Sequence, residues 1–161
     1  MTADSAEANA ALIERFYAAF ARRDAAGMLA CYHPEVTFSD PVFTALDARG
    51  VATMWRMLCT RGKDLELAVS EVAADANSGR AHWVATYTFS ATGRKVTNRI
   101  DAAFKFRDGL ILRHIDRFNL WRWAAMALGA KGALLGWCPP VRAAIRAQAT
   151  KALSAYASAP G

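Results

Sequence analysis

Leu110-Ile111-Leu112-Arg113-His114-Ile115-Asp116-Arg117-Phe118-Asn119-Leu120 is the stretch that organises the chain. Read as a strand, it alternates faces. One face carries Leu110, Leu112, His114, Asp116, Phe118 and Leu120. The other carries Ile111, Arg113, Ile115, Arg117 and Asn119. The first face is apolar at both ends, with an imidazole and a carboxylate between. An ionised carboxylate buried among leucine and phenylalanine is costly unless it is paired or lines a polar cavity. Asp116 therefore either has a buried partner or faces a pocket.

Working backward, three more strands are expected over residues 65–74, 81–91 and 95–107, with the last running 110–121. The breaks are Asp75 to Gly79, Thr92-Gly93-Arg94 and Arg107-Asp108-Gly109, all hairpin-type turn sequences. Long strands joined by short turns make an antiparallel meander rather than a βαβ sheet. Upstream the pattern is helical. Residues 5–22 carry an apolar stripe of Ala8, Leu12, Ile13, Phe16, Ala19 and Phe20, with Ser5 as the expected cap. Asp24 caps a short helix over 25–32 that His33-Pro34 ends, with His33 in a capping role. Val36 to Asp40 is a short strand stopped by Pro41. Asp47-Ala48-Arg49-Gly50 is a turn or helix cap, and Val51 to Thr60 is a third helix with Met54, Trp55 and Leu58 on its apolar face. Helices first and sheet afterwards give an α+β class.

After Leu120 the character changes. Residues 121–128 and 140–156 are expected to be helical, separated by Gly129, Gly132, Gly136 and Pro139-Pro140. The organisation is one domain over 1–121 with a C-terminal helical extension over 122–161.

Composition fits a single globular core: 161 residues, 54% apolar and 21% charged. The net charge of +6 is uneven. Residues 1–121 hold 15 basic and 14 acidic residues, whereas 122–161 hold Arg122, Lys131, Arg142, Arg146 and Lys151 and no acid. Those cations are sparse and separated by alanine, which reads as a solvated helix face rather than a nucleic-acid surface. No run is long and apolar enough to cross a bilayer, and the N-terminus lacks the basic and apolar regions of a secretory signal. Three cysteines at no metal-like spacing read as free thiols in a reducing cytoplasm. No paired-histidine or His-x-Glu spacing suggests a metal, and no glycine-rich loop suggests a phosphate cofactor, so none is expected.

Several segments carry a family likeness. They are Phe16 to Phe20 with Arg23-Asp24, Tyr32 to Val36, Phe38-Ser39-Asp40-Pro41-Val42, Phe104 to Ile111, and His114 to Phe118. Together they resemble the SnoaL-like branch of the nuclear transport factor 2-like superfamily, over residues from about 8 to 122. The resemblance implies a cone: a bent antiparallel sheet wrapped around the N-terminal helices, with a pocket at the open end. It also implies a homodimer through the outer sheet face. Members include isomerases, cyclases, epoxide hydrolases, dehydratases and non-catalytic binders, so fold alone does not choose an activity.

Residue by residue, Asp40 resembles the proton-shuttling aspartate of ketosteroid isomerases. Their tyrosine donor aligns with Phe16, placing Tyr17 one residue away on a different face. Their second aspartate aligns with Ala102, with Asp101 out of phase. Asp116 resembles the acid aspartate of limonene-epoxide-hydrolase-like enzymes and SnoaL-type cyclases. The Arg-x-Asp pair of those hydrolases falls on Trp83 and Ala85, while Arg99-Ile100-Asp101 lies one strand later and faces outward. Neither parent site is reproduced.

Two carboxylates in an apolar cavity can take different pKa values and serve as acid and base. The expected catalytic set is Asp40 as base, Asp116 as acid or its partner, and His114 as a tuner of Asp116. By the family comparison, Trp83 and Tyr87 point inward and Phe118 joins them as a wall, with Asn98 able to orient a ligand oxygen. Tyr17 and Trp55, at helical positions, either border that pocket or fill it. The structural alternatives are a turn-forming Asp40, an Asp116 held by an ion pair or hydrogen bond, a core histidine, and an aromatic face that is plain core. The leading expectation is cofactor-independent acid/base catalysis on a small, mostly apolar oxygenated molecule. The rival is a non-catalytic small-molecule-binding or accessory dimer. The tail, rich in Trp121, Trp123, Leu134, Leu135 and Trp137, is too apolar for water. Packing on its own subunit or a partner is preferred to contact with a membrane surface, which stays open.

Overall fold

The computed structural model describes residues 2–159. In chain order the elements are α1 (Thr2–Ala21), α2 (Ala25–Leu29), β1 (Tyr32–Ser39), α3 (Ala48–Arg61), β2 (Glu66–Ala74), β3 (Ser78–Phe89), β4 (Arg94–Arg107) and β5 (Leu110–Arg117). The extension supplies α4 (Leu120–Leu128), α5 (Ala130–Leu135) and α6 (Pro139–Ser158). The sheet order is β1-β5-β4-β3-β2. The β2–β5 meander is antiparallel, as its turns require. The sheet is nevertheless mixed, because β1 runs parallel to β5. Asp108 and Gly109 both have positive φ, the conformation that the tightest hairpin turns demand.

The expected helix caps at Asp24 and Asp47 are present. Asp24 Oδ1 accepts from the Gly27 amide at 3.0 Å, and Asp47 Oδ1 from the Gly50 amide at 2.8 Å. Ser5 is not a cap, because α1 begins three residues earlier. On α1 the inward residue of the first turns is Asn9, not Ala8. Its amide donates to the Asp75 and Ala76 carbonyls and ties the helix to the β2–β3 turn. Gly79, the second residue of β3, lies under α1, where a methyl would lie 2.7 Å from Ile13 Cδ1.

Several boundaries differ from the periodicity. α2 stops at Leu29, so Tyr32, His33 and Pro34 belong to β1. His33 caps no helix. Its Nδ1 accepts from the Glu35 amide, and its other nitrogen faces Asp108 at 3.6 Å. β5 stops at Arg117 because Asn119 leaves the strand to cap α4, its Oδ1 accepting from the Arg122 amide at 3.0 Å. Within β5 the register slips between the partners Phe106–Ile111 and Lys105–Arg113. This bulge inverts the parity upstream, so Ile111 is fully buried while Leu110 and Leu112 are only half-buried.

The main core lies between α1, α3 and one face of the sheet, with Phe16, Tyr17, Phe20, Phe38, Trp55, Trp83 and Phe104 at its centre. Each such side chain contributes about 1.5–3 kcal/mol on burial. A smaller core joins α4 to the sheet through Val96, Leu120, Trp123, Ala124 and Ala127. Tyr87 and Phe118 touch both cores.

Candidate functional site

Asp116 faces the interior, 4% exposed, and His114 is fully enclosed. The alternation places them on one face, and their side chains meet: His114 Nε2 lies 2.9 Å from Asp116 Oδ1. The other ring nitrogen, Nδ1, lies 2.8 Å from the Tyr32 hydroxyl. That hydroxyl accepts from the Trp55 indole N–H at 2.9 Å. With Trp55 donating, the Tyr32 O–H is free to donate to Nδ1, which leaves the ring proton on Nε2 for the carboxylate. Trp83 Nε1 adds a long 3.5 Å contact to the same Asp116 oxygen. The result is a buried chain from Trp55 through Tyr32 and His114 to Asp116. The rings of Phe16, Phe38 and Phe104 surround the imidazole at centroid distances of 5.5, 5.0 and 4.5 Å.

Tyr32 is a site residue that sequence reasoning misses. An expected helix over 25–32 hides its place at the start of β1, where it pairs with Ile111 of β5. The parallel β1–β5 pairing brings residues 82 positions apart into hydrogen-bond contact.

Asp40 sits just beyond β1, where Pro41 ends the strand. Its Oδ1 accepts from the Val42 and Phe43 amides at 2.7 and 2.6 Å, so the turn-forming role is real. Pairing of Phe38 with Leu46 closes this loop and fixes its direction. The carboxyl is also half-buried. Burial raises its pKa from 3.8 to about 6, against the pull of the two amides. The charge of Asp116 adds to the rise and His114 opposes it, which puts Asp40 within electrostatic reach of the buried pair. Among the described residues no lysine or arginine nitrogen lies within 4 Å of Asp40 or Asp116.

Tyr17 and Phe16 are both buried, although the helical offset suggests that only Phe16 faces inward. α1 is covered on more than one side, so neighbouring positions both find the core. The Tyr17 hydroxyl is buried with no hydrogen-bond partner among the described residues, and burial together with the Asp116 charge holds its pKa well above the usual phenol range. Tyr87 is held by the Trp123 indole at 2.9 Å, and burial, with a contribution from Asp40, raises its pKa. Asn98 is buried on the same sheet face and its side chain makes no hydrogen bond among the described residues. Ala102 pairs directly with Asp116. Trp55 fills the core and donates to Tyr32. Phe118 is half-buried just past β5. Asp101 is outward and bonded to His82 at 2.9 Å.

The extension reaches this region. Arg146 on α6 donates from Nε to the Pro41 carbonyl at 2.9 Å, beside Asp40. Two surface clefts border the core. One of about 310 Å³ runs between α1 and β2 and touches Tyr17, Leu67 and Val72. The other, of about 180 Å³, lies against Tyr32, Val36 and Val51. Neither is lined by Asp40, His114 or Asp116. Among the described residues no cluster of three His, Cys, Asp or Glu could hold a metal ion.

The fold recurs in solved structures of low identity. An LEH-like epoxide hydrolase from M. tuberculosis is 18% identical, with 81% of this chain and 96% of that chain covered and a TM-score of 0.64. TerC, co-crystallised with polyporic acid, is 22% identical over 75% and 98% of the two chains, with a TM-score of 0.66. A Catenulispora acidiphila protein with a ketosteroid isomerase-like fold, in complex with trimethylamine, is 8% identical over 72% and 91%, with a TM-score of 0.63. Comparison with curated proteins gives no match. The model of the SnoaL-like domain matches residues 13–114, and the chain belongs to that family.

Proposed function

We propose that this protein is a cofactor-independent acid/base catalyst of the isomerase, hydrolase, cyclase or dehydratase type. Its substrate would be a small, mostly apolar oxygenated molecule. The observation that carries the reading is Asp40: a half-buried carboxyl without a cationic partner, its pKa raised to about 6. A base whose pKa lies near the working pH combines a useful ionised fraction with real proton affinity. Asp40 would take a proton beside a carbonyl or activate the attacking group. Tyr17 offers a hydroxyl whose hydrogen-bonding capacity is unused. It would donate to the oxygen on which charge develops. Asp116 would act as the acid or its partner, with His114 and Tyr32 fixing its orientation. Trp83, Tyr87 and Phe118 supply an apolar wall.

One observation favours the rival reading of a non-catalytic binder. Asp116 is already engaged by His114, and one Asp40 oxygen by two amides, so both acids have structural work. The two readings separate in one experiment. A panel of small cyclic ketones, enones and epoxides is incubated with the protein in deuterated buffer, and proton exchange and ring opening are followed by NMR. Catalysis predicts turnover that rises with pH through about 6 and is lost in Asp40→Asn. Turnover unchanged by that substitution would overturn the base assignment. Ligand-induced thermal shifts without turnover in any panel member would leave the binder.

A further inference from the structure

Most of the large apolar side chains open to water lie in one short stretch. Trp121 is 47% exposed, Leu134 71%, Leu135 43% and Trp137 58%. α4 does pack on the sheet, through Leu120 and Trp123, but Trp121 on its outer side and Leu134 and Leu135 on α5 stay exposed. The stretch is a rigid knuckle, not a loose tail. At Gly132 an added methyl would overlap the Ala124 carbonyl oxygen, and at Gly136 it would lie 3.0 Å from Trp121 Cδ1. The two helices thus touch backbone to backbone.

The indole N–H groups are already used. Trp121 donates to the Ala133 carbonyl at 2.8 Å and Trp137 to the Leu134 carbonyl at 2.9 Å. These bonds hold both rings outward and leave hydrocarbon as their exposed surface. The charged residues of α4 and α5 are Arg122 and Lys131, both exposed. Arg94 joins them, its guanidinium lying against Gly129 while Nε donates to the Met126 carbonyl at 2.8 Å. No residue after Asp116 is acidic.

We propose that this knuckle docks the protein on an anionic phospholipid surface. Trp121, Leu134, Leu135 and Trp137 would enter the interfacial layer, with Arg94, Arg122 and Lys131 toward the headgroups. No helix among the described residues is long and apolar enough to cross a membrane, so the contact is interfacial. Charge argues against a second copy as the occupant. A two-fold contact sets a patch against itself, and it would bring Arg122 and Lys131 of both copies together with no acid on α4, α5 or α6 to answer them.

The test is co-sedimentation of the full chain with vesicles of phosphatidylcholine alone and of phosphatidylcholine mixed with phosphatidylglycerol. Binding is expected to the mixed vesicles only, and to weaken as salt rises. Leu134→Ser/Leu135→Ser should lower the partition coefficient about tenfold or more. Arg122→Glu/Lys131→Glu should abolish the preference for the anionic lipid. Thermal melts of both variants check that they fold, since all four side chains are exposed. Absence of co-sedimentation with either vesicle would overturn the proposal. So would wild-type binding by folded variants. A wild-type dimer that Leu134→Ser/Leu135→Ser converts to monomer, without vesicle binding, would assign the knuckle to self-association instead.

Discussion

Replacing Asp40 by asparagine should make the protein more stable, and only above acidic pH. The folded-state pKa of about 6 lies above the ordinary 3.8. Between those values the folded chain holds a proton that the unfolded chain has released. Stability therefore falls as pH rises through that window and is flat above about 7. Two pKa units correspond to at most about 3 kcal/mol, with solvent at the exposed part of the carboxyl reducing it. The asparagine side chain would keep an oxygen to accept from the Val42 and Phe43 amides, and asparagine suits the same turn. The variant thus mimics the protonated wild type without its titration. Urea denaturation of both proteins from about pH 4 to about pH 8 measures the difference. It should be near zero at the acidic end and grow to between about 1 and 3 kcal/mol at the alkaline end, or roughly 3–10 °C in Tm. The reasoning is refuted if the two proteins lose stability in parallel across that range, or if the variant is the less stable one at the alkaline end. Stability gained together with turnover lost is the pattern of a residue kept for chemistry at a cost to the fold.

Two further outcomes follow from buried contacts. Asp116→Ala leaves His114 Nε2 without its acceptor inside a ring of aromatic side chains. It should cost about 3–5 kcal/mol in urea denaturation, whereas Asp116→Asn, which keeps an acceptor, should cost markedly less. Gly132→Ala forces a methyl against the Ala124 carbonyl and should separate α4 from α5. Faster amide hydrogen exchange across residues 120–135, with β3–β5 unchanged, would report it.

Much of the fold is legible from local chemistry. The meander follows from turn residues and alternation. Asp24 and Asp47 are caps in the sequence and caps in the structure, because capping needs only an acceptor three residues before an amide. The candidate site is legible in part. Asp116 and His114 share a face by parity and meet on it. Tyr32 does not reveal itself, because its role depends on a strand pairing with a partner 82 residues away.

The chain by itself determined the α+β class, the order of its elements and the inward turn of the Asp116 carboxylate, since these rest on alternation, helical spacing and turn chemistry among near neighbours. Only the assembled tertiary structure decided that β1 lies parallel to β5, that a bulge buries Ile111, and that Asp40 holds its proton to about pH 6. Those outcomes depend on how far each group is removed from water, and that is set by residues distant in sequence.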